Sequence, residues 1–188
     1  MGVSGCGKSL IGEKLAIHLK LNFVEGDDFH SVQNKQKMAN GIALNDHDRY
    51  LWLKSLNQIL TNSTKPMIVA CSALKRSYRA ILRDHNHKTI FIHLDGSREV
   101  LKSRLDGRKD HFFSPSLLDD QLSTLEILDS QENGFVVKRG LFDALEVSSI
   151  LKSLKSDPKI KKNMFFRRDN LKRKTQAIQW NNPGESSY

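Results

Sequence analysis

Two apolar periods alternate along the first two thirds of the chain. Between Lys8 and Leu21, Ile11, Leu15, Ala16 and Leu19 recur at helical spacing. Leu21 to Val24 reads as a short strand running into the acidic turn Gly26-Asp27-Asp28. Helical spacing returns over Asp46 to Leu60, where Leu51, Leu53, Leu56, Ile59 and Leu60 form a broad apolar face. Met67 to Ala70 predicts a buried strand, and a helix is expected from about Ala73 to Leu82. Thr89 to Leu94 predicts a strand, Ser97 to Leu105 a helix, and Phe135-Val136-Val137 a last strand. This alternation argues for an α/β fold, a parallel sheet flanked by helices on both faces.

The charged, partly helical stretch from Asp106 to Ser130 comes just before the final strand. A segment of that length is expected to form a lid, about 106–130, over a site at the sheet edge. Beyond about Lys155 the periodicity stops. Residues 1–155 therefore read as one domain and 156–188 as a basic, disordered tail.

Composition changes this picture in two respects. The chain has 188 residues, 38% of them hydrophobic, enough for a sizeable core. No apolar run approaches the ~20 residues of a membrane span, and no basic-then-apolar leader opens the sequence. The two cysteines, Cys6 and Cys71, form neither a disulfide framework nor a metal spacing, so a reducing, cytoplasmic setting is expected. The net charge of +9 is unevenly placed: residues 151–188 hold ten Lys and Arg against three acidic residues, leaving 20 against 18 on 1–150. The cluster Arg167-Arg168 and Lys172-Arg173-Lys174 is able to attract nucleic acid or an acidic membrane by charge alone; a solvated tail without function is the plainer reading.

The strongest chemical signal is Gly2-Val3-Ser4-Gly5-Cys6-Gly7-Lys8-Ser9, which matches G-x-x-x-x-G-K-[ST] throughout. Its glycines let backbone amides converge on a phosphate at a helix N-terminus. Lys8 is expected to reach the β- and γ-phosphates, and the Ser9 hydroxyl to bind Mg²⁺. Only Met1 precedes Gly2, whereas a P-loop ordinarily follows a buried strand. The expected result is a sheet with a gap at its centre, costing an amount comparable to a domain's whole stability, unless the working protein begins further upstream.

Several further blocks occur in order: Gly26-Asp27-Asp28-Phe29-His30, Lys37-Met38-Ala39-Asn40-Gly41, Leu44-Asn45-Asp46-His47-Asp48-Arg49, Cys71-Ser72-Ala73-Leu74-Lys75 with Tyr78-Arg79, and Arg108-Lys109-Asp110-His111-Phe112-Phe113. Together with the P-loop they resemble the gluconate kinase (gluconokinase) family, from the first residue to about Leu128. The resemblance implies a small P-loop kinase with parallel strand order 2-3-1-4-5. It also implies ATP, Mg²⁺ and D-gluconate as reactants, 6-phospho-D-gluconate as product, and commonly a homodimer.

The residue types suit that chemistry. Arg49, Lys75 and Arg79 are candidates to clamp a carboxylate, although Lys75 and Arg79 also have the spacing of a solvated helix face. Asp27 follows a strand at the carboxyl edge, where open α/β sheets bind ligands, and is a candidate to orient the acceptor hydroxyl, take its proton or hold a metal-bound water. His30 is either a substrate contact or a loop residue, and Asp46 is equally suited to capping a helix. Arg104 and Arg108, four apart, are the lid cations expected to meet charge on the phosphoryl oxygens. Phe112 and Phe113 fit packing better than stacking on adenine. Asp110 stands where the family usually has Gly, and Lys138-Arg139 where it often has acidic residues. As in the family generally, no acidic Mg²⁺ ligand follows the strand ending at Cys71.

Other readings of the same chain are a kinase of shikimate or a nucleoside monophosphate, or an inactive paralogue whose basic tail binds nucleic acid.

Overall fold

A computed structural model describes residues 1–107, 115–138 and 144–156. Four strands carry the fold: β1 (Asn22–Glu25), β2 (Met67–Ala70), β3 (Phe91–Asp95) and β4 (Gly134–Lys138). The helices are α1 (Lys8–Leu19), α2 (Val32–Ala39), α3 (Asp46–Asn62), α4 (Arg76–Leu82), α5 (Arg98–Asp106), α6 (Pro115–Thr124) and α7 (Ala144–Ser156). A 3₁₀ turn occupies Gly26–Phe29. Residues Met1–Leu151 form one compact unit, and Lys152–Tyr188 cluster separately.

Among the described residues the strands form two parallel pairs. β1 lies on β2 with Asn22 opposite Met67 and Glu25 opposite Ala70. β3 lies on β4 with Phe91 opposite Gly134 and Asp95 opposite Lys138. The expected gap is therefore present between β2 and β3. Met1 and Gly2 occupy its end: the Met1 amine donates to Ile92 O, Leu94 N donates to Met1 O at 2.9 Å, and Gly2 N donates to Ser72 O at 3.1 Å. These rungs join the two pairs where the phosphate loop begins.

Local chemistry moves several boundaries from their expected places. α1 stops at Leu19 because Lys20 turns left-handed (φ 53°) and caps the helix with its N–H. α3 begins at Asp46 as expected, but its cap is Asn45, in a reciprocal capping box with Asp48. That corrects the capping role considered for Asp46. α4 starts three residues late, since Ala73 has φ 45° and Lys75 is extended. The polar helix α2, capped by Ser31, has too few apolar residues to predict it, whereas α7 carries Val147, Ile150 and Leu154 at helical spacing and was legible but not predicted.

The core joins α3, the β2–α4 connection and β3 through Trp52, Leu53, Leu56, Cys71, Ala73, Tyr78, Leu82 and Phe91. Arg79 is also inside, at 0% exposure. Its guanidinium donates to both Glu132 oxygens, at 2.7 and 2.8 Å, and to the carbonyls of Ala73, Leu74 and Glu126. The expectation that Arg79 clamps a substrate carboxylate is thereby corrected: every guanidinium nitrogen is engaged internally, with no face left for a ligand. His93 on β3 is buried with neither ring nitrogen hydrogen-bonded. Burial holds its pKa below the ordinary value, as do the chain's amino terminus, Arg79 and Lys138, against the opposing effect of Asp95.

Two predictions follow from these buried groups. Arg79→Met leaves the Glu132 carboxylate unpaired, so denaturant unfolding should show a loss of about 3–5 kcal/mol, part of which Arg79→Met/Glu132→Leu restores. His93 resists protonation when folded but accepts a proton in the unfolded chain near pH 6.5, so stability should fall as pH drops below that value. His93→Leu should remove up to about 1.4 kcal/mol per pH unit from the slope between pH 6 and 5, and should not destabilise the protein at pH 8.

Candidate active site

The phosphate loop forms at the end of the Met1–Gly2 bridge. Gly2, Gly5 and Gly7 have φ of 140°, 82° and 86°, and Gly7 in this left-handed conformation leads directly into α1 at Lys8. Close packing reinforces the need for glycine. A Cβ on Gly2 would sit 2.6 Å from Leu94 O, and one on Gly5 2.9 Å from Leu101 O and 3.0 Å from the Leu105 side chain. Thus β3 and the latter half of α5 back the loop. Arg104 lies in that last turn of α5, between Leu101 and Leu105, the residues that touch Gly5. Arg108, with Lys109 to Phe113, lies outside the described residues, as does the basic cluster 167–174.

The residues at the loop suit a nucleotide. The Ser4 N–H is directed at an oxygen, Gln121 Oε1, at 2.7 Å, the contact a phosphate oxygen would make. Lys8 Nζ rests on Val3 O at 3.1 Å, and Ser9 is exposed in the first turn of α1. No group of three or more His, Cys, Asp or Glu among the described residues is placed to hold a metal. A single hydroxyl is still a fitting donor for a cation that takes its other oxygens from phosphate and water.

At the end of β1, the 3₁₀ turn presents Asp27. Gly26 makes this possible: a Cβ there would lie 2.3 Å from Ala70 O, so the turn hugs the end of β2. Trp52 Nε1 on α3 holds the same turn by donating to Gly26 O at 2.7 Å. His30 stacks on Trp52, with ring centroids 4.1 Å apart. Burial pushes its pKa down to about 4; Asp27 opposes the shift, and Lys35 and Arg49 add to it. The imidazole is therefore neutral at physiological pH. Asn34 Nδ2 donates to Asp48 O and to His30 Nδ1. His30 Nε2 lies 3.9 Å from Asp27 Oδ1. Asp27 and Lys8 also act electrostatically on one thiol, Cys71, which burial pushes up to about 12 and so leaves unreactive.

A second group faces the acceptor side. Arg49 is buried to 8% exposure, with Nη1 3.5 Å from Tyr78 Oη and Nη2 3.7 Å from the Asp120 carboxylate. Tyr78 donates in turn to Asp46. Lys75 Nζ contacts both Asp46 oxygens at 2.8 Å. The Lys75 hydrogen bond and then that of Tyr78 hold the Asp46 carboxyl below its usual range, and the same pairing raises Lys75. Arg49 and Lys75 thus converge on Tyr78, each with its charge met by an acid, while Arg79 belongs to the interior.

Sequence reasoning quoted Tyr78 in a block without giving it a role, and it gave none to Asn34, Trp52, Asp120 or Gln121. Asp120 offered no signal, since one acid on a short helix resembles any solvated residue. Gln121 stood in a family-like stretch, but its loop contact spans 117 residues of sequence.

The phosphate loop and its surroundings agree with what the chain resembles. A family model described as shikimate kinase matches residues 4–138. A probable gluconokinase from Xenopus tropicalis is 43% identical over 144 residues, covering 67% of this chain and 76% of that protein. The thermoresistant gluconokinase of Escherichia coli K12 is 41% identical over 140 residues, covering 73% and 80%. The crystal structure of a gluconokinase from Sinorhizobium meliloti 1021 superposes with a TM-score of 0.77 at 39% identity, covering 89% of this chain and 94% of that one. The family model describes the shared kinase domain, and the identities near 40% single out one branch. With a phosphate loop built on this fold, the chain is a kinase that belongs to the shikimate kinase family of P-loop enzymes and, within it, to the gluconokinases.

Proposed function

We propose that this chain transfers the γ-phosphoryl group of ATP to the terminal hydroxyl of D-gluconate, giving 6-phospho-D-gluconate and ADP. The observation that carries this reading is one of placement. Asp27 follows β1 with the neutral His30 behind it, Asp27 and Lys8 of the phosphate loop are both near enough to act on the buried Cys71 thiol, and the buried Arg49 is near enough to act on His30.

In the reaction, amides of the loop and Lys8 hold the nucleotide phosphates. Ser9 would hold Mg²⁺, whose charge neutralises the phosphate oxygens when bound. Arg49 takes the gluconate carboxylate, for which a guanidinium is the suited partner. Asp46, Lys75 and Tyr78 supply acceptors and donors for the polyol hydroxyls. Asp27 accepts the proton of the attacking hydroxyl as its oxygen bonds to the γ-phosphorus and the bond to the bridging oxygen of ADP breaks. The neutral His30 ring lies beside Asp27 and adds no charge to it. Arg104 and Arg108 are proposed to meet the phosphoryl oxygens in the transition state. Arg79 has no part in this scheme.

ADP release measured with ATP and Mg²⁺ against gluconate, shikimate and nucleoside monophosphates tests the reading. Turnover should depend on gluconate; turnover only with another acceptor would sink the assignment. Asp27→Asn should lower kcat by about 10²- to 10⁴-fold with little change in the gluconate KM. Arg49→Met should instead raise that KM by about 10- to 100-fold, the loss of a charge-assisted contact.

A further inference from the structure

Helix α6 touches both halves of the site at once, through consecutive residues. Gln121 Oε1 accepts the Ser4 N–H of the phosphate loop at 2.7 Å. Asp120 places its carboxylate 3.7 Å from Arg49 Nη2. One residue earlier, Asp119 binds Arg98 at 2.8 and 3.0 Å, which fastens the helix to α5. Both contacts made by Asp120 and Gln121 copy ligand chemistry. An sp² oxygen stands on an amide that a phosphate loop offers to phosphate, and a carboxylate stands at the cation suited to an acid. Lys8, meanwhile, is turned back onto its own loop at Val3 O.

We infer that α6 is an internal competitor for both substrates, with Gln121 taking the place of a nucleotide phosphate oxygen and Asp120 that of the acceptor's carboxylate. The Asp120 half rests on the reading of Arg49 given above; the Gln121 half rests only on the phosphate loop. Because one short helix carries both stand-ins, whichever ligand arrives first displaces both. The second ligand then binds without that cost, so nucleotide and acceptor bind with positive coupling.

Isothermal titration of the full chain with the β,γ-imido analogue of ATP and Mg²⁺, without acceptor, tests the Gln121 half. Gln121→Ala should tighten binding by about threefold to tenfold, the worth of one hydrogen bond no longer displaced. Gln121→Glu should weaken it, because an anion now competes at the cradle. A merely structural role would move both variants the same way, and that result, or unchanged affinity in Gln121→Ala, overturns the proposal. Asp120→Asn should lower the gluconate KM and, in the same titration, reduce the factor by which gluconate strengthens nucleotide binding. Opposite shifts at Gln121 with no gluconate turnover would overturn the proposed acceptor and the Asp120 half while supporting competition at the phosphate loop. Normal gluconate turnover with no shift at Gln121 would leave the acceptor standing and remove the competitor.

Discussion

Arg79 ties together the segments on which the acceptor side is built. Its guanidinium spans the carbonyls that follow β2, the chain at Glu126, and the buried Glu132 ahead of β4. An unpaired charge at that depth would cost several kcal/mol, so these segments are held in one arrangement. The backbone between β2 and α4 needs such a restraint: Ala73 has φ 45°, a conformation that L-residues seldom adopt. That turn delays α4 until Arg76 and leaves Lys75 extended at its entrance, where it reaches Asp46. One turn along, Tyr78 reaches the same carboxylate. Lys75 and Tyr78 are thus positioned by an arginine that lies wholly inside the protein.

The phosphate side depends on close backbone approach. Among the described residues, main-chain bonds of Met1 and Gly2 span the end of the gap between β2 and β3. Gly2 is pressed on Leu94 and Gly5 on α5, so the loop takes its shape from β3 and α5 as much as from its own glycines. Gly26 plays the corresponding part for Asp27 by letting the 3₁₀ turn lie against Ala70. Both halves of the site sit at the carboxyl ends of parallel strands, where the fold leaves backbone groups and loops free to meet ligands. Polar groups there are mostly matched internally, which fits a site whose ligand positions are partly filled by the protein's own oxygens.

The sequence by itself determined the alternating α/β order, the phosphate loop and the position of Asp27 after a strand, because each is written in local spacing. The helix face at Asp46–Asn62 was legible from its period, whereas α2 was not, since its stability comes from the Ser31 cap and its neighbours rather than an apolar stripe. Only the tertiary structure decided what the charged residues do. Lys75 and Arg79, four apart on the chain, separate into a site cation and an interior tie because Glu132, far along the sequence, enters the core beneath one of them. His30 becomes a neutral imidazole through burial against Trp52, and Gln121 meets the phosphate loop through the return of α6. Charge and hydrogen bonding are set by whatever lies within a few ångströms, and sequence spacing carries that information only between neighbours on one element.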